Sequence, residues 1–130
     1  MIFDEQLLER LLGEAALSSR HRQNFDLRTS SEDTSQRMLN AVLPGTQVPI
    51  HRHPHSTEVV FILKGCIDEI LYDEQGKECG RYRLNANDEG ARGCVVAAGA
   101  WHTIQVYEPS VIFEAKDGAF SPLLPEDILQ

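Results

Sequence analysis

Cysteine is scarce in this chain and does not pair. Cys66, Cys79 and Cys94 are odd in number and form no C-x-x-C motif. That excludes a disulfide framework and fits a reducing, cytoplasmic compartment, with all three packing as small apolar residues. No apolar run approaches the length needed to span a bilayer. The first residues, MIFDEQLLERLL, interleave acids with leucines and lack a basic leader, so no secretory signal is expected. Positive charge is also short: 12 Lys and Arg stand against 20 Asp and Glu, a net charge of −8. That balance disfavours nucleic acid and anionic membrane as partners. A pocket can still differ in sign from the whole chain, which leaves room for a small anionic ligand. Internal repeats and low-complexity segments are absent, and helical periodicity stops after residue 20.

What is present is enough for one domain with a core. The chain has 130 residues, 42% of them hydrophobic, and a chain of that size buries roughly two-thirds of its unfolded surface. Residues 4 to 18 read as an amphipathic helix, with Leu7, Leu8, Leu11, Leu12 and Ala15 at helical spacing and Asp4 and Glu5 at the start. This leucine stripe is a packing face for the rest of the domain or for a partner subunit. Ser18 to Asp33 reads as polar and irregular, with a basic knot of Arg20, His21, Arg22 and Arg28. It is either a solvated linker or an arginine fork for a carboxylate or phosphate.

Short β segments follow. Strands are expected at Arg37–Leu43, Val48–His53, Glu58–Lys64, Cys66–Tyr72, Lys77–Leu84, Gly93–Ala97, His102–Tyr107 and Val111–Lys116. Pro44-Gly45 and Asp73-Glu74-Gln75-Gly76 supply turns between them. Eight short strands at this spacing imply an all-β sandwich or closed barrel. The expected division is a helical arm at 1–24, a β-barrel at 25–118 and a tail over the surface at 119–130.

The chain is organised around Gly45 to Gly65, GTQVPIHRHPHSTEVVFILKG. His51 and His53 are two apart, so on a strand both imidazoles reach one side. Pro54-His55-Ser56-Thr57 has the composition of a turn, and Glu58 opens the next apolar run. Two histidines and a carboxylate on neighbouring strands converge as metal ligands. His55 is a rival ligand, but Pro54 and the turn should redirect it to the pocket rim.

The spacing Gly45, His51-x-His53, Glu58, Gly65 resembles the first conserved motif of the cupin superfamily. Ala97-Ala98-Gly99-Ala100-Trp101-His102 resembles the second, with Gly99 three residues before the histidine; Ala97 and Val106 stand where proline and asparagine are usual. The resemblance implies a cupin (double-stranded β-helix, jelly-roll) barrel and a first shell of His51, His53, Glu58 and His102 around one divalent ion: Fe, Mn, Ni, Co or Zn. Arg20-x-Arg22-x-Asn24, Gln36 to Asn40 and Phe113 to Gly118 extend the likeness to the WbuC-type cupin fold metalloproteins of bacteria. Asp26-Leu27-Arg28 stands where that family would have a histidine. This narrower resemblance implies a cytoplasmic metalloprotein linked to polysaccharide or O-antigen biosynthesis, and resemblance to cupins in general implies a homodimer.

Arg20, Arg22, Arg52 and Lys116 are the candidate anion-holding residues, and Tyr72, Tyr82 or Glu114 the candidate proton carriers. The expected activity is isomerase- or epimerase-like chemistry on a sugar-like anion. An Fe(II)-dependent dioxygenase is the enzymatic alternative, and a metal and small-ligand binding protein the non-catalytic one.

Overall fold

The computed structural model describes residues 1–87 and 89–129. Asp4 caps the first helix, α1 (Glu5–Leu17), its carboxylate accepting from the Leu7 amide at 3.0 Å. Leu8, Leu11, Leu12 and Ala15 are buried against Leu39, Ala41 and Val111. The leucine stripe therefore packs on the domain's own sheet.

Eight strands follow: β1 (Arg22–Asp26), β2 (Ser35–Val42), β3 (Glu58–Lys64), β4 (Cys66–Tyr72), β5 (Glu78–Asn85), β6 (Gly93–Val96), β7 (Trp101–Val106) and β8 (Ser110–Asp117). They form two antiparallel sheets, ordered β1-β2-β8-β3-β6 and β5-β4-β7. The fold is mostly β with one α-helix, and the barrel is not closed. Strand alternation sorts the large sheet's two faces. Leu39, Ala41 and Val111 meet α1, while Val42, Val60, Ile62 and Ile112 face Ile67, Leu84 and Val106 of the small sheet. Beyond that core, the inward positions of β2, β3, β4 and β8 turn polar: Asn40, Glu58, Glu69, Glu114 and Lys116. β3 passes to β4 at Gly65, whose φ is +91°; a Cβ there would sit 2.1 Å from Ser110 Oγ. Only glycine allows that close approach.

Two expectations fail. Val48–His53 is not a strand; it is an extended segment tied by isolated bridges from His51 to His102 and to Ile128. Pro49 and Pro54 have no N–H to give, so a continuous ladder does not form there. Conversely, β1 lies inside the stretch expected to be irregular. It pairs from Arg22↔Val42 to Asp26↔Met38, with Phe25 packed against the α1 cluster. Tertiary pairing overrides the weak local pattern.

β4 carries acids on both faces. Asp68 points outward yet is only 1% exposed. It accepts from Arg83 Nε, from Arg81 Nη1 at 2.9 Å and from Tyr107 Oη at 2.6 Å. Burial alone would raise its pKa; the bonds from Arg83, Tyr107 and Arg81 outweigh burial and hold it below the usual aspartate value. A depressed folded-state pKa gives stability that is complete above about pH 4 and fades as acid protonates the carboxylate. Asp68→Asn should therefore cost about 2 kcal/mol at neutral pH. The gap from wild type should narrow in urea midpoints taken near pH 3; an equal gap at both pH values would contradict this assignment.

Candidate metal centre

The site begins with a backbone pair. The His51 amide donates to the His102 carbonyl at 3.0 Å, and the His102 amide returns to the His51 carbonyl at 2.8 Å. This sets the two residues side by side. Gly99, at φ +83°, makes the turn before β7, and its amide donates to the His53 carbonyl at 2.9 Å. The imidazoles gather accordingly. Ring centroids lie 4.4 Å apart for His51 and His102, 4.9 Å for His51 and His53, and 5.7 Å for His53 and His102. One nitrogen of each lies within 4.8 Å of the others. Glu58, at the head of β3, borders the group: its Oε2 is 3.4 Å from His53 Nε2 and 3.8 Å from Lys116 Nζ.

The ring protons can be argued from partners. His51 Nδ1 lies 2.8 Å from the Pro49 carbonyl, which can only accept, so Nδ1 carries the hydrogen and Nε2 keeps its lone pair. His102 Nδ1 lies 2.6 Å from Glu69 Oε1, and a cation at Nε2 would favour Nδ1–H donating to the carboxylate. Among the described residues, two buried side-chain polar atoms lack a hydrogen-bond partner, His102 Nε2 and Asn40 Oδ1. Both residues line the same cavity of about 260 Å³. A buried nitrogen lone pair without a donor is costly. Three imidazoles meeting at a point, one of them with such a nitrogen, fit a divalent metal ion.

The electrostatics agree. Burial pushes His51 down to about 4, with His102 adding to the effect. Burial and then Lys116 push His53 to about 3, and burial takes His102 to about 4. All three rings are neutral near pH 7, as metal ligands must be. The acids are displaced the other way. Burial and the nearby Glu114 raise Glu58 to about 8 and Glu69 to about 8. Glu114 is itself raised by burial, against the pull of Lys116. A cation placed among these acids would reverse their preference for the neutral form.

Arg20, Arg22 and Lys116 line the cavity, as do Asn24, Asn40 and Glu114. Arg52 does not line it: its guanidinium pairs with Asp127 and stacks over Trp101. His55 is exposed within the turn that follows His53. Of the candidate proton carriers, Glu114 lines the cavity, whereas Tyr72 and Tyr82 lie outside its lining. Glu69 and Asn40 are residues that the sequence reading missed. Glu69 had a signal: an acid in phase with Ile67 on a strand whose inner face is otherwise apolar.

A metal-free pH titration by proton NMR checks the neutral cluster. Below the range near pH 8 where Glu58 and Glu69 titrate beside them, the ring signals of His51, His53 and His102 should show no imidazolium-sized shift between about pH 7 and about pH 5.5, where an unperturbed histidine titrates near 6.5. Movement of all three near 6.5 would contradict the buried geometry.

This fold recurs in solved structures. Oxalate oxidase in complex with the substrate analogue glycolate superposes with a TM-score of 0.64 at 14% identity, over 82% of this chain and 56% of that one. CapF, a capsular polysaccharide assembling protein from Staphylococcus aureus, gives 0.67 at 18% identity, over 81% of this chain and 30% of that one. The conserved SPY1581 protein of unknown function from Streptococcus pyogenes gives 0.59 at 15%, over 80% of both chains. The chain thus spans about half or less of the first two. At these identities the likeness shows the fold alone, which is the cupin β-fold. No curated protein matches the chain. A family model described as "Domain of unknown function (DUF6016)" matches residues 3–84, well over half of the sequence, and the chain belongs to that family.

Proposed function

We propose that this chain binds one divalent metal ion on His51, His53, His102 and Glu58 and acts on a small hydroxylated anion of sugar-like character. The observation that carries the reading is the partnerless His102 Nε2, buried among three neutral imidazoles. A nitrogen-rich set with one carboxylate suits Fe, Mn, Co, Ni or Zn. A divalent ion bound there supplies Lewis-acid polarisation of a carbonyl or hydroxyl oxygen.

The chain's own residues would hold the ligand. Burial, and then the like charge of Arg20, hold the Arg22 guanidinium below its usual range; an anion between the two relieves both strains. Lys116, on β8, adds a third cation to the lining of the same cavity. Asn40 Oδ1, buried and without a donor, fits a ligand hydroxyl. Glu114, held toward its neutral form by burial, is placed to give or take a proton in the same cavity. These features favour metal-assisted isomerisation or epimerisation over simple binding. The role of CapF in capsular polysaccharide assembly and the WbuC-type resemblance support a link to bacterial polysaccharide metabolism in the cytoplasm.

The finer organisation proposed is an arm at 1–24, a cupin domain at 25–118 and a tail at 119–130. Phe61, Leu63 and Val95 leave an exposed apolar stripe on β3 and β6, which fits a second copy of the chain in a homodimer.

His51→Ala should lose most of the bound metal in elemental analysis; unchanged stoichiometry would overturn the ligand set. Arg22→Ala should weaken binding of sugar acids or sugar phosphates about tenfold or more with metal content intact. Unchanged binding across such ligands would remove the arginine pocket. Turnover that requires Fe(II) and consumes O₂ would instead establish the oxygenase, and ligand-dependent stabilisation without turnover would establish the binding protein.

A further inference from the structure

We infer that Asp127, Arg52 and Trp101 form a clamp behind the imidazoles, which makes residues 127–129 part of the metal centre. The inference rests on the metal-binding reading above. His51 and His53 belong to a segment that is not a strand and that has a proline near each end, Pro49 and Pro54. Such a segment does not hold its own geometry. On one side it is held by β7, through the His51–His102 amide pair and the Gly99 bond to His53. On the other it is held by the tail. The Arg52 amide donates to the Asp127 carbonyl at 3.0 Å, the Leu129 amide donates to the Ile50 carbonyl at 2.8 Å, and Ile128 bridges His51. The tail, a 3-10 turn at Pro125–Asp127 followed by the single bridging residue Ile128, thus lies beside the ligand segment.

The side chains lock this arrangement. Arg52 falls between the two histidines in sequence, so when they face the cavity it faces out. Its Nε donates to Asp127 Oδ1 at 3.0 Å, and its guanidinium lies 4.6 Å above the Trp101 ring centroid. Trp101 immediately precedes His102. One planar group therefore touches the neighbour of the third imidazole while its own backbone carries the other two. Asp127 is 6% exposed, so the charge-assisted bond is sheltered from water, where such bonds are strongest. Asp127 and Arg52 touch none of the ligand nitrogens and act by position. Contacts one layer out of this kind typically set metal affinity by 10- to 100-fold.

The test is competition titration of Zn²⁺ against the full chain, with Co²⁺ absorption as a geometric readout. Wild type should bind one ion. Asp127→Asn should also bind one, about tenfold or more weakly, with a shifted Co²⁺ spectrum, and Asp127→Glu should recover most of the affinity. Arg52→Lys, which keeps the charge and loses the planar face over Trp101, should change both readouts in the same direction and covers the case of an Asp127 variant that does not fold. Asp33→Asn breaks a comparable ion pair with Arg37, 2.9 Å long and remote from the imidazoles, and should leave affinity and spectrum unchanged. Wild-type affinity and spectrum in Asp127→Asn or Arg52→Lys, or an equal loss in Asp33→Asn, would overturn the clamp. Wild type that binds no ion would instead overturn the metal-binding reading itself.

Discussion

Everything at the open end of this molecule depends on two backbone hydrogen bonds exchanged between His51 and His102, each amide donating to the other's carbonyl. They join residues far apart in sequence and place two imidazoles at 4.4 Å. Each ring is then turned by a different group: a proline carbonyl for one, a buried glutamate for the other. The backbone sets separation, and the side-chain partners set direction. Burial does the rest by keeping the rings uncharged, because a low-dielectric pocket penalises imidazolium.

The same burial creates a problem that the cavity leaves open. Glu58, Glu69 and Glu114 share the pocket with three neutral rings, and Lys116 is the nearest cation to Glu58. An excess of acids over nearby cations is unfavourable in a dry interior. Arg20 and Arg22 line the same pocket, and Arg22 is close enough to feel the charge of Glu114. The cavity thus gathers three acids, three cations and three imidazoles in one sheltered space. That concentration of polar groups, more than the count of histidines, distinguishes it from a packed core.

Much of this was legible in the sequence, and for local reasons. The spacing of Gly45, His51, His53, Glu58 and Gly65 is short-range, so it identified the three imidazoles' first half and the acid beside them. The β3 and β4 bounds followed from a continuous apolar run broken by one glycine, and the observed strands share those bounds. The stripe at Leu8, Leu11, Leu12 and Ala15 identified the buried helix face. What stayed hidden is non-local. β1 has a polar sequence and exists because β2 and α1 are there to receive it. Asp127 sits in a tail without periodicity, and its partner is 75 residues away. Arg52 looked like a pocket residue because its neighbours are, although strand-like alternation alone would have turned it outward. Glu69 was in view but was not read for the face it occupies.

The large sheet places β8 between β2 and β3 although β8 is last of the strands in sequence. Before residues 110–117 emerge, β1-β2 and β3-β6 are two unconnected ribbons, and the wall bearing Glu114 and Lys116 does not exist. During synthesis the early histidines are therefore loose side chains on an unfinished scaffold. The imidazole cluster belongs to the completed fold, and a long-range strand insertion of this kind is also the step expected to limit its folding rate.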